Sequence, residues 1–175
     1  MDAAHFVLAP LLGMLWCFER VFIPALAGRK RFNVLGALHA ITHELETVAN
    51  DTYINAASVC ELLHRLAALN LGMPITQVLN NARYQKCYVV QALAAALQIE
   101  LLYLPPYSPN LNLIERLWKF VKKKCLYSTY HANFTDFRRA ISECLAQTQT
   151  NYKKELDSWL TLRFQTFKKS QLVAR

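Results

Sequence analysis

Glycine and proline are scarce in this chain of 175 residues, at 4 and 6 respectively. That excludes a collagen-like or loop-rich protein. Charge is also scarce, at 18% of residues against 54% hydrophobic, which excludes a disordered chain. No two cysteines form a C-x-x-C pair. The five (Cys17, Cys60, Cys87, Cys125 and Cys144) are widely spaced and odd in number. They read as reduced cytosolic thiols, not as a disulfide framework or a zinc site. Apolar runs long enough for a membrane are missing. The charge-free run 6–18 is too short to span a bilayer. Asp2 precedes it in place of a basic region and Pro10 interrupts it, so it does not read as a signal peptide. A buried segment is expected there. No internal repeat or low-complexity tract is evident.

What the chain does have is positive charge. Its formal net charge is +8 and its pI about 9.4. An acidic partner follows, nucleic acid being the commonest; the plainer alternative is a basic protein with no such partner. The five histidines make no metal-ligand spacing. His39 and His43 are four apart, but on a hairpin pattern, and are expected to be solvated or capping.

The length suits one domain with a sizeable core. Residues 31–40 read as a buried strand and 44–49 as its returning hairpin partner. Residues 54–71 have helical spacing. A short strand at 75–79 opens into Asn80-Asn81. A helix follows at 88–97, then a strand at 99–104 stopped by Pro105-Pro106. A helix is expected from Asn112 to about Tyr127. A last long helix is capped by Asn133 or Thr135, with Phe134, Phe137, Ile141, Cys144 and Leu145 on one face. A strand hairpin followed by alternating helices and strands predicts an α/β fold, a mixed sheet covered by helices.

The chemistry concentrates in LPPYSPNLNLIERLWKFVKKK, residues 104–124. Leu113, Ile114, Leu117, Trp118 and Val121 form an apolar stripe, and Trp118 reads as core. Asn112 followed three residues later by Glu115 is a capping-box pattern, which by itself explains the glutamate without catalysis. Lys119, Lys122, Lys123 and Lys124 form either the solvated face of this helix or a phosphate-contacting surface. Arg138, Arg139, Lys153, Lys154, Lys168 and Lys169 would extend that surface without sequence preference.

The stretch LPPYSPNLNLIERLW closely resembles the signature around the last catalytic glutamate of mariner-type DDE transposases, above all their bacterial insertion-sequence branch. Their usual form is L-P-P-Y-S-P-D-L-N-P-I-E-x-x-W. This chain departs at Asn110, where Asp is usual, and at Leu113, where Pro is usual. Upstream, VLNNARY (residues 78–84) resembles V-L-D-N-A-R-x-H, which holds the second catalytic aspartate. Asn80 stands at that aspartate's position and Gln85 where His is common. The separation from Asn80 to Glu115 is typical of the superfamily. Asp2, in DAAHF, is similar to the first catalytic aspartate, with the strand at 31–39 following as the family's second strand does.

The resemblance implies an RNase H-like fold: a mixed sheet flanked by helices, a catalytic domain over 1–130 and a C-terminal helical extension over 131–175. It further implies that the first strand is truncated, and that the helix-turn-helix region members place ahead of it is missing. The implied activity is DNA transposition, by metal-dependent DNA cleavage and strand transfer. Asp2, Asn80 and Glu115 would be the catalytic and metal residues, and Lys119, Lys122, Lys123 and Lys124 the DNA-binding ones. The implied cofactor is Mg²⁺ or Mn²⁺, two ions held by three carboxylates. The implied partner is DNA, at transposon ends and target. No membrane is implied, a homodimer is allowed, and the expected place is the cytoplasm, at the nucleoid. Asn80 has no negative charge and presents an NH₂ where an oxygen would bind metal. The expectation is therefore an inactive or nearly inactive remnant. The alternatives are a non-enzymatic DNA-binding or dimerising module, and a working subunit completed by a separately encoded N-terminal half.

Overall fold

The structure is a computed structural model that describes residues 1–8, 18–19, 30–106 and 108–164. The described residues form five strands, five α-helices and two short 3₁₀ turns. Strands β1 (Asp2–Val7), β2 (Arg31–Leu38) and β3 (Leu45–Asn50) form an antiparallel ladder in the order β1-β2-β3. Helix α1 (Ala56–Ala68) leads to β4 (Ile75–Leu79), and α2 (Tyr88–Ala96) leads to β5 (Ile99–Tyr103). The last two strands pair in parallel. Helices α3 (Ile114–Cys125), α4 (Phe134–Ala146) and α5 (Lys153–Trp159) complete the order. The mixed sheet expected from sequence is thus two ladders. They meet where the Met1 nitrogen donates to the Val78 carbonyl at 2.7 Å.

β2 explains the layering. Its residues 32–37 are all buried, so both of its faces are covered. Because side chains alternate along a strand, Phe32 and Val34 point to one side and Leu35 and Ala37 to the other. The first side, with Ala4 and Phe6 of β1 and Leu8 just after it, packs against α3, α4 and α5. The second packs against α1, α2, β4 and β5 through Val59, Leu62, Leu63, Leu79 and Val90. Alternation also places Asp2 on the α3 side, together with Ala4 and Phe6.

Local signals set the helix ends. Asn55 caps α1 in a capping box with Ser58, which the sequence reading overlooked. Asn133 caps α4 by accepting from the Asp136 N–H at 2.9 Å, and Phe137, Ile141 and Cys144 form its buried face as expected. The Arg116 guanidinium donates to the carbonyls of Trp159, Thr161 and Arg163, tying the segment after α5 to α3. Of the charge-free run 6–18, Phe6 and Leu8 are buried, residues 9–17 lie outside the described residues, and Phe18 is exposed. The buried reading therefore fails at Phe18. No described helix is long and apolar enough to cross a membrane.

Candidate active site

Three elements bring the predicted triad together: the start of β1, the residue after β4, and the first turn of α3. β4 ends at Leu79, and Asn80 follows it into the loop. β5 ends at Tyr103, just before the prolines, and a 3₁₀ turn at Pro109–Leu111 redirects the chain into α3. Asn81 anchors the approach by donating to the Leu104 carbonyl.

The Asn80 carboxamide donates to Asp2 Oδ1 at 2.8 Å. Its own oxygen accepts from Asn112 Nδ2 at 3.1 Å, and the same Asn112 amide reaches the Met1 carbonyl at 3.4 Å. The Trp118 indole N–H donates to Asp2 Oδ2 at 3.1 Å. The Asp2 and Glu115 carboxyls are close enough to influence each other's ionisation. Asp2, Asn80 and Glu115 are all half-buried.

Burial pushes the Asp2 carboxyl above the ordinary aspartate range; the Ala3 backbone N–H, the Met1 ammonium and the Asn80 amide oppose the shift. Burial also raises Glu115, then the charge of Asp2 raises it further, while Lys122 and Lys119 pull it back. The Asp2 charge therefore opposes the ionisation of Glu115, as like charges do.

The capping-box reading of Asn112 and Glu115 is corrected. α3 begins after Leu113, with no side-chain cap. The Asn112 amide instead turns inward, 4% exposed, to bond Asn80 and Met1. The helix gives up a side-chain cap, and the amide joins β1, β4 and α3.

The four predicted DNA-contacting lysines divide. Lys119 and Lys122 are exposed and near enough to Glu115 to influence its ionisation. Lys123 lies over the Trp159 ring at 5.3 Å. Lys124 pairs with Glu155 at 2.8 Å and lies over the Phe120 and Tyr152 rings. Those two serve the packing of α5. Arg138 pairs with Asp51, Arg139 with Asp136, and Lys153 with Asp157. Lys168 and Lys169 lie outside the described residues. His39 Nδ1 accepts from the turn amides of Ile41 and Thr42, as a cap does, whereas His43, expected to be solvated or capping, is instead held by the distant Asp157 at 2.7 Å.

Two residues that the sequence reading assigned no part in the site shape it. Trp118 is 2% exposed, as expected of core, yet it also orients Asp2. Gly36, opposite Asp2 in the β1–β2 register, makes room for that ring. A Cβ there would stand 2.9 Å from Trp118 Cη2. An isolated glycine inside a strand pattern was the available signal, since it often marks such close approach.

Two divalent cations would need oxygen donors that this set does not supply. Among the described residues no group of three His, Cys, Asp or Glu could hold a metal ion. Two carboxylates would face the four positive charges of two such ions, which prefer carboxylate oxygen. Both Asp2 oxygens already accept N–H donors, and Asn80 directs its NH₂ towards Asp2. These residues do not fit a two-ion centre.

The family model for DDE superfamily endonuclease matches residues 19–138. That span includes Asn80 and Glu115; Asp2 precedes it and joins them through the fold. No curated protein matches the chain by sequence. Among solved structures, the Mos1 transposase paired-end complex with left transposon end is similar, with TM-score 0.60 and 13% identity over 94% of this chain and 55% of that one. The Mos1 mariner paired end complex with Mn gives TM-score 0.55 and 13% identity over 95% and 56%. The catalytic core domain of BIV integrase gives TM-score 0.50 and 16% identity over 74% and 87%. The chain therefore spans about half the length of the Mos1 chains it resembles. At these identities the likeness establishes the RNase H-like fold.

Proposed function

Because the chain belongs to the DDE superfamily endonucleases, we propose that it is a transposase-derived catalytic-domain fragment whose partner is DNA and whose cleavage centre is disabled by Asn80. DDE enzymes use divalent metals, and one of the similar Mos1 structures is described with Mn. One observation carries the reading of inactivity. The Asn80 amide presents a donor to Asp2, where an aspartate would present a charged oxygen. Losing even an outer partner of a metal ligand typically costs about 10–100-fold in affinity or activity. Loss of a direct ligand and its charge costs more. Lys119 and Lys122, exposed beside Glu115, are the residues suited to meet a phosphate backbone.

The test compares this chain with Asn80→Asp by thermal unfolding, with and without millimolar Mg²⁺ or Mn²⁺. Without cation, the variant crowds three carboxylates and unfolds at a lower temperature. With cation, its midpoint rises by mass action. The parent midpoint stays put, and the parent does not nick DNA. Metal-dependent nicking by the parent that Glu115→Ala abolishes would overturn the proposal.

A further inference from the structure

The far end of α3 carries chemistry that the site does not use. Cys125 is the last residue of α3, and Cys144 lies on the buried face of α4. Both are nearly fully buried, at 6% and 4%. Cys125 Sγ lies 3.6 Å from the Ala140 carbonyl oxygen. Ala140 is one helical turn before Cys144, and in an α-helix that carbonyl accepts from the Cys144 N–H. The sulfur of Cys125 is therefore held against the turn of α4 that carries Cys144. Both thiols line one cavity of about 190 Å³, with Thr129, His131 and Tyr152 around them. That volume is several times what a water molecule occupies, so a small oxidant fits.

We propose that Cys125 and Cys144 are a dithiol modification site, converted by a hydroperoxide into a disulfide that staples α3 to α4.

Cys144 is the sulfur oxidised first. The neighbouring Cys125 thiol and the Lys124 charge both favour the Cys144 thiolate, and the thiol of Cys125 is pushed up correspondingly. The thiolate is the nucleophile in such chemistry. It bonds to one peroxide oxygen, and the O–O bond breaks. Hydrogen peroxide leaves one oxygen as water and the other on Cys144 as a sulfenic acid. Cys125 sulfur then attacks Cys144 sulfur, the S–O bond breaks, and a second water carries off the Cys125 proton. Two thiols and one peroxide give one disulfide and two waters, and the sulfurs supply the two electrons that the peroxide accepts.

The molecule contains its own comparison. Cys60 and Cys87 are each more exposed, and near enough for their charges to be felt. Exposure alone would favour them. The experiment treats the full chain with hydrogen peroxide, maps the peptides without reduction, and reads each thiol by mass. The expected product lacks two hydrogens and joins the Cys125 and Cys144 peptides. It also unfolds at a higher temperature, an increase that dithiothreitol reverses. Cys125→Ser should stop the reaction at a sulfenic acid on Cys144, trapped by dimedone. A disulfide between Cys60 and Cys87, or oxidation elsewhere while Cys125 and Cys144 stay free, would overturn the proposal in the unmutated chain, whatever the variant's stability.

Discussion

Asn112 and Gln85 are both buried amides, at 4% and 0% exposure, and they have opposite circumstances. Asn112 lies where β1, β4 and α3 meet. It donates to Asn80 and to the Met1 carbonyl. Gln85 follows β4 in a 3₁₀ turn, and neither its Nε2 nor its Oε1 has a partner among the described residues. The lesson concerns what surrounds an amide. At the seam three elements supply complementary groups, so polarity fixes geometry. In the turn after β4 no described group meets the Gln85 amide, and the same functional group is a cost.

The strongest way to break the seam is Trp118→Ala. It removes a buried aromatic that meets Phe6 edge-on at 6.3 Å, and with it the donor to Asp2 Oδ2. The expected loss is about 3–5 kcal/mol by chemical denaturation. Near-parental stability would show that Trp118 does not hold the two sides together.

Asn112→Leu asks the narrower question. It leaves Asn80 Oδ1 without its protein donor, and the expected cost is about 1–3 kcal/mol. Gln85→Met should move the other way. Removing two unpartnered polar atoms at similar volume should stabilise by about 1–2 kcal/mol. Equal signs for the two substitutions, measured in the same urea titration, would dissolve the contrast.

Much of this arrangement was legible beforehand, and for identifiable reasons. The strands at β2, β4 and β5 announce themselves by apolar runs with clear stops, and Asn133 by cap chemistry. Asn80 and Glu115 were found through motifs, and Asp2 through its place before the β2 strand. Asn112 misled because a good helix cap and a good tertiary donor are the same side chain; only the approach of β4 decides between them. The lysines divided because α5 covers one part of α3, and nothing local to residues 119–124 encodes where α5 lies. The isolation of Gln85 was hidden for a similar reason: its turn packs against α1 and β5, both distant in sequence.

The smallest expected effect tests the seam's electrostatics. Burial, and for Glu115 also the nearby Asp2 charge, hold both carboxyls above the ordinary range. The folded state thus binds their protons more tightly than the unfolded state. The unfolded carboxyls titrate at about pH 4. Between there and the raised folded values, the folded form carries more protons, so this contribution to stability falls as pH rises through that window. Glu115→Gln removes one member of the pair and keeps an acceptor in place. At pH 7 the variant should be the more stable, because Asp2 ionises without a charged neighbour. The advantage should shrink as pH is lowered towards 4 or so, where the parent carboxyls are protonated as well. Urea denaturation of both proteins across that range reads the difference directly. An advantage independent of pH would place its origin in packing and leave the electrostatic coupling of the two carboxyls without support.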